Sequence, residues 1–116
     1  MEAPVKTSGF EKGDVVVMHF PFSNLADSKK RPALVLASLH GTDRIVCQIT
    51  TNATIDDYSI TLNSADFSHG CISKSSIIRP NKIFTADESI ILYKAGRLKE
   101  NKIREVEDNI LRMFRG

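Results

Sequence analysis

Residues 30–50 read Lys30-Arg31-Pro32-Ala33-Leu34-Val35-Leu36-Ala37, then Ser38-Leu39-His40-Gly41-Thr42-Asp43, then Arg44-Ile45-Val46-Cys47-Gln48-Ile49-Thr50. Two apolar runs of strand length flank a short segment rich in turn-forming residues, which is the pattern of a β-hairpin. In the second run Ile45, Cys47 and Ile49 share one face, and Val46, Gln48 and Thr50 share the other. Upstream, Val15-Val16-Val17 is a β-branched run that favours a strand and stops near Phe20-Pro21, since proline cannot donate to a ladder. A polar loop, Ser23 to Lys30, joins the two.

Downstream, Tyr58, Ile60 and Leu62 alternate, and Ser76–Arg79 and Lys82–Phe84 read as short strands broken at Pro80. The period then changes. Ile103, Val106, Ile110 and Met113 recur at helical spacing, Leu111 and Phe114 widen the stripe, Asn101 is placed to cap the helix, and Asp108 and Arg112 stand four apart. The expected architecture is mainly β with a C-terminal helix: a small, strongly bent SH3-like β-barrel or half-barrel, a barrel being attractive because it removes exposed strand edges. Residues 1–9 read as a flexible leader and 10–116 as one domain.

With 116 residues, 41% hydrophobic and 26% charged, the composition is that of an ordinary globular chain. No apolar run reaches the ~18 residues of a membrane span, and the N-terminal stretch lacks a signal-peptide core, so the expected location is cytoplasmic, with no membrane partner. Cys47 and Cys71 are then expected to be reduced, buried thiols. A net charge of +2 is too mild to indicate nucleic-acid binding by itself. Its distribution is more informative. Lys29, Lys30 and Arg31 are consecutive, and Lys74, Arg79 and Lys82 recur in one stretch, while much of the acid lies elsewhere.

Arg31 is the first candidate functional residue. Its neighbours are cationic, and Pro32 biases it towards an extended conformation at a strand entrance. A guanidinium there can grip a phosphate bidentately, or its aliphatic stem can simply cover the barrel end. Thr50 and Thr51 end a strand, where hydroxyls and amides can hold a phosphate oxygen or merely suit the sheet. Arg79 and Asn81 flank Pro80 and can read a base edge, bind a phosphate or shape a turn. His69-Gly70-Cys71 is the nearest approach to metal-ligand spacing and no zinc pattern accompanies it, so no metal or cofactor is expected. No nucleophile elbow surrounds Ser75-Ser76, and no glycine-rich phosphate loop occurs. What remains suits RNA cleavage, in which the 2′-hydroxyl of the substrate is itself the nucleophile.

Several segments, in order, resemble the MazF/PemK toxins: Lys12-Gly13-Asp14-Val15-Val16, Phe20-Pro21-Phe22-Ser23-Asn24-Leu25, Lys30–Leu36, Gln48-Ile49-Thr50, and Asp66-Phe67 through Gly70 to Ser76–Thr85. The resemblance runs from about Phe10 to Leu98. It implies an SH3-like barrel, a homodimer, metal-independent and sequence-selective cleavage of single-stranded RNA to 2′,3′-cyclic phosphate and 5′-hydroxyl ends, and a cognate antitoxin with a flexible acidic tail. By position it implies Arg31 and Thr50 as catalytic residues. Asn24, Lys29, Lys30, Thr51, Ser76, Arg79, Asn81 and Lys82 are the expected RNA contacts. Two departures stand out: Asn81 falls where some plasmid-borne members have an aspartate, and Ser23–Lys30 lacks the histidine that some members carry there. A non-catalytic SH3-like module binding nucleic acid or protein is the alternative reading.

Overall fold

A computed structural model describes residues 9–20, 30–51 and 55–116. The expected contacts Asn24 and Lys29, most of the Ser23–Lys30 loop and residues 1–8 of the leader lie outside the described residues.

Among the described residues, seven antiparallel strands form one sheet: β1 (Asp14–His19), β2 (Lys30–Ser38), β3 (Asp43–Thr50), β4 (Ile60–Leu62), β5 (Phe67–Gly70), β6 (Ser76–Asp87) and β7 (Ile91–Leu98). Helix α1 (Glu100–Arg115) follows β7. The spatial order is β4-β6-β3-β2-β1-β7-β5. The two outermost strands, β4 and β5, are separated in the chain only by Asn63 and the 3₁₀ turn Ser64–Asp66. So short a link makes the sheet curl until its ends approach, which gives the mainly β half-barrel expected from the sequence. Asp66 anchors the link. Its carboxylate accepts from the Asn63 amide at 3.0 Å, and its carbonyl accepts from the Lys99 amide at 2.9 Å, at the entrance to α1.

The apolar runs in β1 and β2 are explained by burial on both faces. Val15, Leu34, Cys47 and Ile49 join one core, which Ile103 and Val106 of α1 cover. Val16, Met18, Ala33, Val35 and Val46 form a second core on the opposite face. The alternation expected in β3 is therefore present. At the start of β1, Gly13 has φ +97°, and a Cβ there would lie 2.4 Å from Cδ1 of Ile103. Only glycine brings the chain this close to the helix.

Several expectations are corrected. Pro80 does not break the strand: β6 runs through it from Ser76 to Asp87. Gln48 pairs with Arg79 and the adjacent Cys47 with Ile83, so Pro80, Asn81 and Lys82 leave the ladder as a bulge, where a missing N–H costs nothing. Strands β5 and β7 are absent from the sequence reading. In β7, register shifts against β1 leave Leu92, Tyr93 and Lys94 all exposed in succession, which erases the two-residue period. The helix is entered from Lys99 rather than Asn101. Leu111 and Phe114, expected to widen its buried stripe, are 49% and 74% exposed. Arg112 donates to Asn109, and among the described residues no ion pair joins it to Asp108. Cys71 is exposed, whereas Cys47 is buried as expected.

Candidate functional site

Strand β2 enters the sheet at Lys30 and Arg31. Arg31 pairs with Met18 of β1, so its side chain lies on the face of the second core, where the Ala33–Gln48 pair also sits. Thr50 is two residues beyond Gln48 on β3 and shares that face by alternation. Across β3, Gln48 pairs with Arg79, and the bulge that follows raises Asn81 and Lys82 as a lip. A cleft of about 500 Å³ results, walled by Arg31, Gln48, Asn81 and Lys82 over Phe20 and Phe84. The two rings pack edge to face with centroids 5.3 Å apart, a rigid apolar floor.

The electrostatics of this cleft are one-sided. Among the described residues, two cations line it and no carboxylate does. Arg31 is half-buried, and no ion pair engages it among the described residues. A guanidinium partly removed from water, with its donors free, is arranged to receive a planar or tetrahedral oxyanion. Arg79 is a different case. Its guanidinium lies 3.5 Å from Asp56, and its buried Nε has no hydrogen-bond partner among the described residues. Asp56 is held below the usual carboxylate range, chiefly by the Tyr58 amide, then by the Ser59 hydroxyl, with Arg79 a smaller contributor. Arg79 is thus neutralised where Arg31 is not.

The remaining expected residues divide between two places. Thr50 is 8% exposed, faces Ile77 of β6 across the ladder, and does not wall the Arg31 cleft. Lys30, Thr51 and Ser76 belong to a second cleft on the opposite face. Ser76 is buried there and donates to the Lys74 carbonyl at 2.9 Å. The sequence reading missed Gln48 as a wall of the Arg31 cleft. Its signal was a lone amide between Val46 and Thr50 on a face that is otherwise core. Asp56 as the partner of Arg79 left no signal, since a register of distant strands brings them together.

Burial pushes the Cys47 thiol up to about 12, so it serves as a core residue rather than a nucleophile. No group of three or more potential metal ligands occurs among the described residues. No helix among them is long and apolar enough to cross a membrane.

Solved structures with the same fold include an endoribonuclease bound to its cognate antitoxin from a Mycobacterial species, which is 11% identical with a TM-score of 0.70 over 90% of this chain and 93% of that one. A MazE–MazF complex from Deinococcus radiodurans is 18% identical with a TM-score of 0.71, covering 90% and 94%. Mycobacterium tuberculosis toxin MazF-mt6 is 16% identical with a TM-score of 0.69, covering 87% and 95%. At these identities the likeness establishes the fold alone. A search of curated proteins found no match. The family model described as the PemK-like, MazF-like toxin of type II toxin–antitoxin systems matches residues 11–114. With nearly its whole length matched, the chain belongs to the PemK-like, MazF-like toxin family.

Proposed function

We propose that this chain is a toxin-type endoribonuclease, cutting single-stranded RNA sequence-selectively and without a metal ion, and leaving a 2′,3′-cyclic phosphate and a 5′-hydroxyl. The observation that carries this reading is Arg31: a half-buried guanidinium that, among the described residues, has no ion-pair partner and stands in a cleft lined by no carboxylate, in a member of this toxin family. The substrate supplies the nucleophile. As its 2′-oxygen bonds to phosphorus, the 5′-oxygen departs and takes up a proton. Charge grows on the non-bridging oxygens, and Arg31 stabilises it, with Lys82 adding to the local potential. Proton donation to the leaving oxygen is open to Arg31. Accepting the 2′ proton is not, because a guanidinium has donors and no acceptor, so that proton passes to water. Thr50 orients the scissile phosphate from the end of β3. Lys30, Thr51, Ser76, Arg79 and Asn81 hold flanking RNA, together with Asn24 and Lys29 of the loop.

The partners follow from the same charge pattern. A cognate antitoxin with an acidic tail would neutralise Lys30, Arg31 and Lys82, competing with RNA for the groove. The antitoxin complexes of two structural neighbours support this reading. The protein acts in the cytoplasm as a homodimer. Exposed Leu111 and Phe114 supply apolar surface for self-association, and light scattering showing only monomer at micromolar concentration would count against it.

A second reading, a binding module without catalysis, draws on the cleft lining: among the described residues, neither a carboxylate nor a histidine is present there to act as base. One assay separates the two. Wild type and Arg31→Ala are incubated with diverse transcripts in EDTA and the product ends mapped. Cyclic phosphates from wild type and none from the variant support the ribonuclease. Intact RNA from wild type across all transcripts leaves the binding module.

A further inference from the structure

The second cleft, of about 540 Å³, lies on the other face of β2. Lys30, Lys74 and Lys94 line it with Thr51 and Ser76, and among the described residues no carboxylate does. Lys94 is tethered 3.7 Å from buried Asp14. Lys30 and Lys74 have no ion-pair partner among the described residues. The floor is built by register: Val17 pairs with Pro32 on one side and with Tyr93 on the other, so the three side chains form a row across β2, β1 and β7. Tyr93 ends that row and is 55% exposed, an aromatic surface left open where most large apolar groups are covered.

The two clefts meet at a thin rim. Lys30 and Arg31 are consecutive at the start of β2, and alternation sends their side chains to opposite faces. Thr50 ends β3, and Thr51, just beyond the strand, lines the second cleft. A polymer held at Arg31 therefore needs to cross only the ends of two strands to reach the lysines. Free cations beside an exposed aromatic ring are the combination that binds single-stranded nucleic acid, phosphates on the cations and a base on the ring. An acidic peptide would use the lysines but has no need of the ring.

We propose that this lysine–tyrosine cleft is a second RNA subsite, taking nucleotides that flank the one cleaved, with Lys30 and Lys74 on phosphates and Tyr93 stacked on a base. The proposal rests on the reading of the chain as RNA-acting and adds where the flanking strand goes. It is tested by fluorescence anisotropy with the full chain and mixed-sequence 2′-O-methyl RNA, which lacks the attacking hydroxyl and is not cut. Oligonucleotides of about 4 and about 12 nucleotides separate one cleft from two.

The longer oligonucleotide binds wild type more tightly. Tyr93→Ala weakens it by at least about fivefold, the low end for a stacked base, and leaves the shorter one unchanged. Tyr93→Phe retains wild-type affinity, because stacking does not use the hydroxyl. Lys74→Ala lowers the slope of log K against log salt by about 0.7, one phosphate contact on a single strand. Wild-type affinity of both alanine variants for the longer oligonucleotide overturns the proposal. So does an oligo-aspartate peptide whose binding Lys74→Ala weakens while Tyr93→Ala affects neither ligand, which makes the cleft a site for acidic peptides. The cleavage assay keeps the two readings apart. Cut transcripts with variant-insensitive binding overturn this subsite alone; uncut transcripts with Tyr93-dependent binding overturn the ribonuclease and leave the subsite.

Discussion

The β2–β3 hairpin carries arginine at both ends, and the two are handled in opposite ways. At the turn end Arg44 is only 2% exposed. It donates to the carbonyls of Phe10, Gly41 and Asp43 at 2.9, 3.1 and 2.8 Å, and to Glu88 at 3.2 Å. Nearby, the Thr42 hydroxyl donates to Asp87, which also accepts from the Ser89 amide. At the open end Arg31 is half-buried with no such partners among the described residues. A buried charge that is fully partnered fixes a structure, because leaving it unpaired is costly. A half-buried charge without partners stabilises the fold little, and its donors remain available for a ligand. One end is a clamp and the other a receptor, on the same two strands.

The contrast is broken most forcefully at Arg44. Arg44→Ala strips three carbonyls and Glu88 of their donor, and stability should fall by about 3–5 kcal/mol, read as a lower denaturant midpoint at unchanged slope. Cleavage per folded molecule should survive. Arg31→Ala is expected to reverse this pattern, lowering the cleavage rate by about 10²–10³-fold, the usual cost of removing one donor to developing charge, with the midpoint unmoved. If Arg31→Ala unfolds the protein instead, the division between clamp and receptor is wrong.

Gly13→Ala belongs with the structural end. Its positive φ and the 2.4 Å approach of Ile103 put strain into both backbone and helix packing, so a loss of about 1–3 kcal/mol is expected in the same unfolding experiment. Lys82→Ala sharpens the receptor end. RNA affinity should weaken a few-fold and the salt slope drop by about 0.7, with stability unchanged. The smallest effect concerns acid. The Asp87 carboxyl sits at about 2 rather than its ordinary 3.8, held down first by the Ser89 hydrogen bond and then by Thr42. A depressed value means that its stabilisation is present above the unfolded value and is lost as pH falls from about 4 towards 2. Asp87→Asn should flatten that acid limb of stability and leave RNA binding at neutral pH as it was.

Parts of this molecule were legible because local chemistry and tertiary environment agree. The strands around Val15–Val17 and residues 30–50, the turn at Gly41 and the stripe through Ile103 and Val106 all follow from side-chain period and turn preference. Arg31 was legible for a similar reason: the following proline and the strand entrance are local facts. Strand β7 was illegible because bulges against β1 destroy its alternation, and β5 because only Phe67 of its four residues is buried. Pro80 misled for the converse reason. A proline breaks a ladder only if its N–H is needed there, and the bulge removes that need.

The sequence by itself determined which segments pair and coil, since the two-residue and 3.6-residue periods are properties of the backbone and of water's exclusion from apolar faces. It also determined the supply of cations beside the first hairpin strand. Only the tertiary structure decided which cations stay free. Arg79 meets Asp56 from a distant turn, Lys94 meets Asp14, and Arg44 is enclosed by Phe10 and Glu88, while Arg31, Lys30 and Lys74 meet no acid among the described residues. Neutralisation depends on distances of a few ångströms between residues far apart in the chain, and strand register and sheet curl set those distances. The division of Lys30 from Arg31 onto two faces has the same origin: a barrel wall has two sides, and neighbours in a strand fall on both.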